Sequence, residues 1–249
     1  MPDQRTIEWT AGQTVTAVLY PAAADPAAFL VLAHGAGANQ FSSFMTGFAA
    51  ALARLGITVA TFNFPYMEGS RKPPDRQPVL DACYRGVLAA VAAEPELAAL
   101  PLFIGGKSLG GRLASHLAAD PGAPGAQPAW WPRLRGLVFL GYPLHPPARP
   151  QQVRVSHLPR ITHPMLFVQG ERDAFGTPVE IQAFTDVLPA RCTLVPVPGG
   201  DHSFDVLKRS GLAAADVLDG AQRAVAAWIN RWGRVSFPQV RGEAEPVEN

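Results

Sequence analysis

One serine of the chain stands among glycines in a pattern that suits chemistry. The segment GGKSLGGR, residues 105–112, follows an apolar run and precedes a stretch with helical character. Residues 106–110 match G-x-S-x-G, in which a sharp strand-to-helix turn exposes the serine and glycines remove side chains that would collide. The segment therefore predicts a nucleophile at Ser108; the alternative is an idle serine in a glycine-rich turn.

The Gly-Lys-Ser tripeptide within this segment also suggests phosphate binding. A P-loop has the pattern G-x-x-x-x-G-K-[ST], so a glycine would have to stand at position 101. That position is Pro101, and residues 102–104 are Leu-Phe-Ile, which favour a strand over a loop that wraps a phosphate. The sequence therefore excludes a P-loop here.

A serine hydroxyl becomes a good nucleophile only when a base takes its proton and an acid orients that base. His202 lies in PGGDHSF, directly after the last predicted strand, where glycines leave room for a projecting side chain. Asp173, in QGERDAFG, lies just beyond a strand end and before His202 in the chain. We predict His202 as the base and Asp173 as the acid, with Glu171 as the alternative acid.

Two backbone N–H groups are needed to stabilise the negative oxygen that develops during acyl transfer. The residue after the nucleophile, Leu109, supplies one of them. The segment AHGAGANQ, residues 33–40, directly follows an early strand and supplies the other. We predict Ala36 as this donor, with Gly37 as the alternative, and we expect His34 to shape the loop rather than ionise.

Two basic residues that follow predicted strands bear on the charge of the substrate. Arg71 lies in the proline-containing loop of residues 65–77, and His145 follows a strand that ends near residue 142. We predict substrate binding by Arg71 and His145, with Arg71 holding a carboxylate or phosphate; the alternative is that these side chains are merely solvated. The connection from Pro143 to Thr162 is too short and too rich in proline for a cap domain, which predicts a minimal lid.

The elements that must position these residues alternate along the chain. Short apolar runs predict strands at 14–20, 29–34, 57–64, 101–106, 134–142, 163–170 and 191–199, and helical periodicity predicts helices at 40–55, 78–93, 109–120, 178–188 and 212–232. Residues 65–77 are turn-rich and predict no regular element. This alternation predicts an α/β fold with a mostly parallel sheet and helices on both faces. In such sheets, ligands bind at the carboxyl ends of the strands.

The composition and net charge argue against some classes of function. The chain has 249 residues, 48% of them apolar, and a net charge of +1, so it offers no overall basic surface for nucleic acid or an anionic membrane. We predict a single domain over residues 1–249, with a loosely ordered tail from about residue 234. Cys83 and Cys192 match no metal or redox spacing, and no basic-then-apolar leader is present at the N-terminus. We expect a cytoplasmic protein with no metal, no cofactor, no nucleic-acid partner and no membrane partner; its oligomeric state is left open.

The motifs HGAG, GGKSLGG, QGERD and GGDHSF occur in the order found in the α/β-hydrolase superfamily, and they span nearly the whole chain. The chain resembles the small, dienelactone-hydrolase-like members of that superfamily, although it has a serine where dienelactone hydrolases have a cysteine nucleophile. FNFPYM, RKPPDR and GYPLHPP resemble one branch of small bacterial hydrolases that is related to eukaryotic proteins, among them a subunit of a chromatin-modifying complex.

The resemblance implies a serine hydrolase that cleaves small esters or thioesters through an acyl-enzyme. Two alternatives stay open. One is a catalytically silent scaffold of hydrolase shape that binds a partner or ligand, and the other, less favoured, is a peptidase.

Overall fold

The computed structural model of the chain describes residues 1–123 and 125–235. It contains eight strands: β1 (Asp3–Thr10), β2 (Gln13–Tyr20), β3 (Ala28–Ala33), β4 (Ile57–Phe62), β5 (Leu102–Lys107), β6 (Leu134–Leu140), β7 (Met165–Gly170) and β8 (Cys192–Val197). The helices are α1 (Ser43–Arg54), α2 (Pro65–Glu68), α3 (Gln77–Ala92), α4 (Leu109–Ala119), α5 (Pro178–Thr185) and α6 (Ala214–Gly233). Short 3-10 turns occur at Trp131–Arg133, Leu158–Arg160 and Lys208–Ser210.

The strands form one sheet in the order β1-β2-β4-β3-β5-β6-β7-β8. β2 pairs antiparallel with both β1 and β4, and every other neighbouring pair is parallel. The strand order reverses around β3, whose neighbours are β4 and β5. A crevice at the carboxyl ends of the strands is expected at such a reversal, and the loops after β3 and β5 lead into it.

Two apolar layers cover the two faces of the sheet. Along β3, which is buried at every residue, alternate side chains enter opposite layers because successive residues of a strand point to opposite faces. Helices α3, α4 and α5 contribute to one layer, while α1 and α6 contribute to the other. The predicted fold class, a mostly parallel sheet with helices on both faces, is confirmed.

Two elements differ from the sequence prediction. Strand β1 was not predicted, because it is a mostly exposed edge strand in which only Ile7 is buried, so its apolar signal is weak. Residues 65–77 were predicted to contain no regular element, but Pro65–Glu68 form one helical turn. Pro65 occupies the first turn of this helix, where its missing N–H removes no helical hydrogen bond.

The segment between β6 and β7 has the form expected for a minimal lid. Its described residues contain only the 3-10 turn Leu158–Arg160 and no α-helix. The predicted tail from about residue 234 lies almost entirely outside the described residues, which end at Val235.

Candidate active site

Ser108 occupies the sharp turn between β5 and α4. Its backbone has φ +48° and ψ −111°, a conformation that a residue with a side chain rarely adopts. A Cβ at Gly106 would lie 2.6 Å from the carbonyl carbon of Gly110, and a Cβ at Gly110 would lie 2.7 Å from the carbonyl oxygen of His34. The flanking glycines are therefore required by close backbone approach, as the motif predicted.

Ser108, His202 and Asp173 come together at the carboxyl ends of three different strands. Ser108 Oγ lies 2.9 Å from His202 Nε2, and His202 Nδ1 lies 2.7 Å from Asp173 Oδ2. A carboxylate only accepts hydrogen bonds, so Nδ1 carries the proton and the lone pair of Nε2 faces the serine hydroxyl. The imidazole is thus held in the tautomer that can accept a proton from Ser108.

Asp173 is buried and held by several donors. Its Oδ2 also accepts a 2.8 Å hydrogen bond from Gln169 Nε2, and its Oδ1 accepts one of 2.8 Å from the N–H of Phe175. The Phe175 ring lies 4.2 Å from the His202 ring, between centroids. Glu171, the alternative acid, instead accepts a hydrogen bond from the N–H of Gly199 and has no contact with His202 among the contacts of the described chain. The structure therefore places Asp173, and not Glu171, against the histidine.

The two predicted oxyanion donors lie near Ser108. Ala36 lines the cavity beside the serine, and Leu109 begins α4, where the first N–H groups of a helix lack partners within the helix. Within the described chain, neither backbone N–H donates to a protein acceptor. Both groups are therefore available to an oxygen bound next to Ser108.

His34 fixes the loop that carries Ala36. Its Nε2 accepts a 3.0 Å hydrogen bond from the N–H of Phe64, so its Nδ1 carries the proton and donates to the carbonyl of Gly35 at 2.8 Å. Burial lowers the pKa of His34 to about 4, outweighing the hydrogen bond to Gly35 and the charge of Glu68, which raise it. His34 therefore stays neutral at physiological pH and links the ends of β3 and β4, as predicted for a residue that shapes this loop.

A cavity of about 560 Å³ opens beside Ser108. Its walls come mainly from the loop after β3, the start of α1, the loop around His202 and the start of α6. Most of its area is apolar, and its polar groups are a few hydroxyls, the ammonium of Lys107, the imidazole of His202 and the carboxylate of Asp205. Its lining residues are Gly35, Ala36, Ala38, Ser42, Ser43, Phe44, Met45, Lys107, Ser108, His202, Ser203, Phe204, Asp205, Ala214, Ala215 and Leu218.

Lys107 is a cavity residue that the sequence analysis did not single out. Its Nζ donates to the carbonyl oxygen of His202 and lies 5.7 Å from the Phe44 ring centroid and 5.6 Å from that of Phe204. Burial lowers the pKa of Lys107 to about 8, although the charges of Asp173 and Asp201 act in the opposite direction. Its position directly before the nucleophile was the available signal.

Arg71 and His145 do not meet the other predicted site residues. The Arg71 guanidinium pairs with Asp75, with 2.7 Å between Nη1 and Oδ1, and lies outside the cavity. His145 is buried, and its ring contacts the carbonyl of Pro146 and the carboxylate of Glu180. Partners within the folded chain thus engage both side chains, and neither residue lines this cavity.

Over the described ranges, no cluster of three or more His, Cys, Asp or Glu residues has the arrangement of a metal site. None of the helices in those ranges has the length and hydropathy needed to cross a membrane.

Comparison with known proteins places this geometry in a family. A family model described as an alpha/beta hydrolase domain matches residues 26–230, which include every residue of the site. The chain belongs to this family of α/β-hydrolases. The superfamily predicted from the motifs is therefore confirmed.

A protein of Mycobacterium tuberculosis (strain ATCC 25618 / H37Rv) with the provisional name of phosphoribosyl transferase is 28% identical over 182 residues. These cover 72% of this chain but only 37% of that protein, so the chain spans little more than a third of its curated relative.

Two solved structures illustrate the likeness of fold. Dienelactone hydrolase from Anabaena variabilis ATCC 29413 has a TM-score of 0.69 and 18% identity, covering 94% of this chain and 99% of that one. XC6422 from Xanthomonas campestris, described as an α/β serine hydrolase without lid, has a TM-score of 0.65 and 20% identity, covering 95% and 97%.

Proposed function

We propose that this α/β-hydrolase cleaves small esters or thioesters through a covalent acyl-enzyme on Ser108. The observation that carries the proposal is the chain of hydrogen bonds from Ser108 Oγ to His202 Nε2 and from His202 Nδ1 to Asp173, at 2.9 and 2.7 Å, beside an open cavity. Nucleophile, base and orienting acid in this relation are the arrangement that activates a serine hydroxyl. The names of two proteins of similar fold, a dienelactone hydrolase and a serine hydrolase, agree with it.

The proposed reaction has two halves. Ser108 Oγ attacks the carbonyl carbon while His202 Nε2 takes its proton, and the carbonyl oxygen becomes an oxyanion between the N–H groups of Leu109 and Ala36. The C–O or C–S bond then breaks, and His202 returns the proton to the departing alcohol or thiol. In the second half, water attacks the acyl-enzyme by the same route and releases the acid and Ser108. Asp173 keeps the imidazole oriented and stabilises its transient positive charge.

Cavity size and polarity support a small acyl group. Phe44, Met45, Phe204 and Leu218 supply apolar walls to a space of about 560 Å³. Pockets of this size accommodate small molecules. The short connection between β6 and β7 adds no cap domain over the site.

A fluorophosphonate probe tests the proposal because it reacts only with an activated serine. We expect stoichiometric labelling, located on the peptide that contains Ser108 by mass spectrometry, and loss of labelling in Ser108→Ala. Ser115→Ala is the matched control and should label like the wild type, since Ser115 is buried and does not line the cavity. An unlabelled, folded protein that also hydrolyses no ester or thioester in a chain-length series would contradict the proposal and favour a silent binding protein.

A further inference from the structure

The cavity beside Ser108 contains a cation with an unusual set of partners. Lys107 precedes Ser108 in the chain, and its Nζ lies against the phenyl rings of Phe44 and Phe204, both of which line the cavity. An ammonium group has three N–H donors, and in the described chain only the carbonyl of His202 accepts from this one. The cation thus keeps unused donors within the wall of the candidate active site.

No carboxylate neutralises this ammonium group directly. In the parts of the chain that the structure describes, Lys107 forms no ion pair. Asp173 and Asp201 act on it only at longer range, and Asp173 is already engaged by His202 and Gln169. A largely desolvated charge without an ion-pair partner is costly to keep, and such groups cluster at functional sites.

The local backbone supports this placement. Phe204 has a φ of +67°, a region that bulky residues rarely adopt, and this conformation holds its buried ring beside the Lys107 ammonium. A Cβ on Gly141 would lie 2.9 Å from Nζ, so the glycine leaves the space that the ammonium group occupies. Both features keep the cation at the cavity and close to the reacting serine.

We propose that Lys107 is an anion-binding subsite of this cavity and that the preferred substrates carry a carboxylate a few bonds from the scissile carbonyl. This inference rests on the proposed hydrolase function. A carboxylate there would supply the ion-pair partner that the protein lacks, and a charge-assisted hydrogen bond contributes more than a neutral one. The hydroxyl-bearing residues Ser42 and Ser43 on the same cavity supply neutral donors that accommodate an anion.

The structure leaves two positions for the carboxylate, on the acyl group or on the alcohol, and paired esters distinguish them. Methyl hydrogen glutarate and methyl pentanoate differ by an acyl-side carboxylate, while 3-carboxypropyl acetate and butyl acetate differ by an alcohol-side carboxylate. In the pair whose carboxylate lies on the side that reaches Lys107, we expect the wild-type kcat/KM of the charged ester to exceed that of the neutral ester by about tenfold or more. Lys107→Met should remove this preference.

Arg71→Met is the matched control, because it removes a cation that is paired with Asp75 and lies outside the cavity. It should keep the wild-type preference. Lys107→Gln is a second test of the charge if Lys107→Met does not fold, as judged by circular dichroism. Equal kcat/KM for the charged and neutral members of both pairs in the wild type would overturn the subsite, as would a preference that survives removal of the ammonium group.

Titration adds a second readout. Since the pKa of Lys107 is lowered to about 8, its charge falls as pH rises through that value, and the preference for the charged ester should fall with it. The charged or titratable groups that face the ammonium are Asp173, Asp201 and His202, with Asp205 at the cavity. A charged-to-neutral ratio that is constant from pH 7 to 9.5 would contradict binding by this ammonium group.

Calorimetric binding of glutaramate and pentanamide, which differ only by a remote carboxylate, separates this proposal from the hydrolase proposal because the measurement needs no turnover. Glutaramate should bind the wild type about tenfold more tightly than it binds Lys107→Met, and pentanamide, which lacks the carboxylate, should not show this difference. Lys107-dependent glutaramate binding without any hydrolysis would leave the subsite standing and refute the hydrolase. Hydrolysis without a dependence on Lys107, in kinetics and in binding, would refute the subsite and leave the hydrolase.

Discussion

Two serines of the α4 region each contact a histidine from elsewhere in the chain, and the two pairs have very different surroundings. Ser108 stands just before the helix and lies 2.9 Å from His202, whereas Ser115 lies within the helix, 2.7 Å from His157. The distances are similar, so the serine–histidine hydrogen bond alone does not distinguish a nucleophile from a structural contact. The direction of each hydrogen bond does.

In the first pair the histidine accepts, and in the second it donates. Asp173 holds the proton of His202 on Nδ1, which leaves Nε2 to accept from Ser108. The hydroxyl of Ser115 instead donates to the carbonyl of Arg112 at 2.6 Å, so the Nε2 of His157 must donate to Ser115. His157 therefore cannot take a proton from its serine, and both members of this pair are buried away from the cavity.

The largest expected effect comes from removing the two serines in turn. Ser108→Ala should lower kcat by about three orders of magnitude or more, because nucleophile and base act as a unit. Ser115→Ala should keep near wild-type kcat and lose about 1–3 kcal/mol of stability, because the buried N–H of His157 then lacks an acceptor. Ester hydrolysis and urea unfolding of both variants check this contrast. Retention of more than a tenth of the activity in Ser108→Ala would refute its role.

The second expected effect tests the acid that only the first pair has. Asp173→Asn should lower kcat by about 10³- to 10⁴-fold, because an amide no longer selects the tautomer with the Nδ1 proton. Glu171→Gln is the matched control, since its carboxylate contacts the N–H of Gly199 and not His202. It should change kcat less than twofold. A larger loss in Glu171→Gln than in Asp173→Asn would show that the acid has been assigned wrongly.

The sequence located the first pair because its signals are local. Glycines around Ser108 and the loops after predicted strands carry the information for Ser108, Asp173 and His202, and strand alternation places those loops at one edge. The sequence did not predict roles for residues whose contacts depend on the folded structure. Lys107 stands next to Ser108 but contacts the distant carbonyl of His202, and Gln169 is buried within β7, so the sequence pattern does not reveal the contacts of either residue.

Contacts in the folded chain also explain where the structure departs from the sequence predictions. Arg71 was predicted to hold a substrate anion from its position after β4, but in the folded chain a carboxylate four residues later binds its guanidinium, and Arg71 does not line the cavity. Strand β1 is specified mainly by its pairing with β2, since only Ile7 is buried. Such pairings depend on partners that sequence patterns do not identify.

A third, smaller effect concerns Gln169, which supports the acid of the first pair. Its Nε2 donates to Asp173 and to the carbonyl of Gly176, and its Oε1 accepts from the N–H of Tyr142 at 2.8 Å. Gln169→Met should lower kcat by about tenfold with little change in KM, because Asp173 loses a donor while the cavity is unaltered. Gln182→Met, on the exposed face of α5, is the control. A fall in stability with unchanged kcat would show that Gln169 supports only the fold.

The smallest expected effect is an acid dependence of stability that originates in two stacked histidines, His116 and the His157 of the second pair. The His116 and His157 rings stack with 3.8 Å between centroids. Burial, followed by the charges of neighbouring arginines, lowers the pKa of His116 to about 4. Burial, followed by the charges of His116, Arg112 and Arg160, lowers the pKa of His157 to about 3. The unfolded chain takes up these protons below its ordinary pKa of about 6.5, whereas the folded chain does not.

Stability from this pair is therefore fully present above pH 6.5 and is lost as pH falls toward 4 and then 3. His116→Phe keeps a ring for the stack and removes one titrating group, so its unfolding free energy should fall less steeply between pH 6.5 and 4 than that of the wild type. His34, with a pKa also lowered to about 4, contributes the same trend in both proteins and cancels in the comparison. Urea unfolding at half-unit pH steps measures the two slopes. Parallel slopes would show that the two stacked histidines do not change the pH dependence of unfolding, and that their rings contribute packing alone.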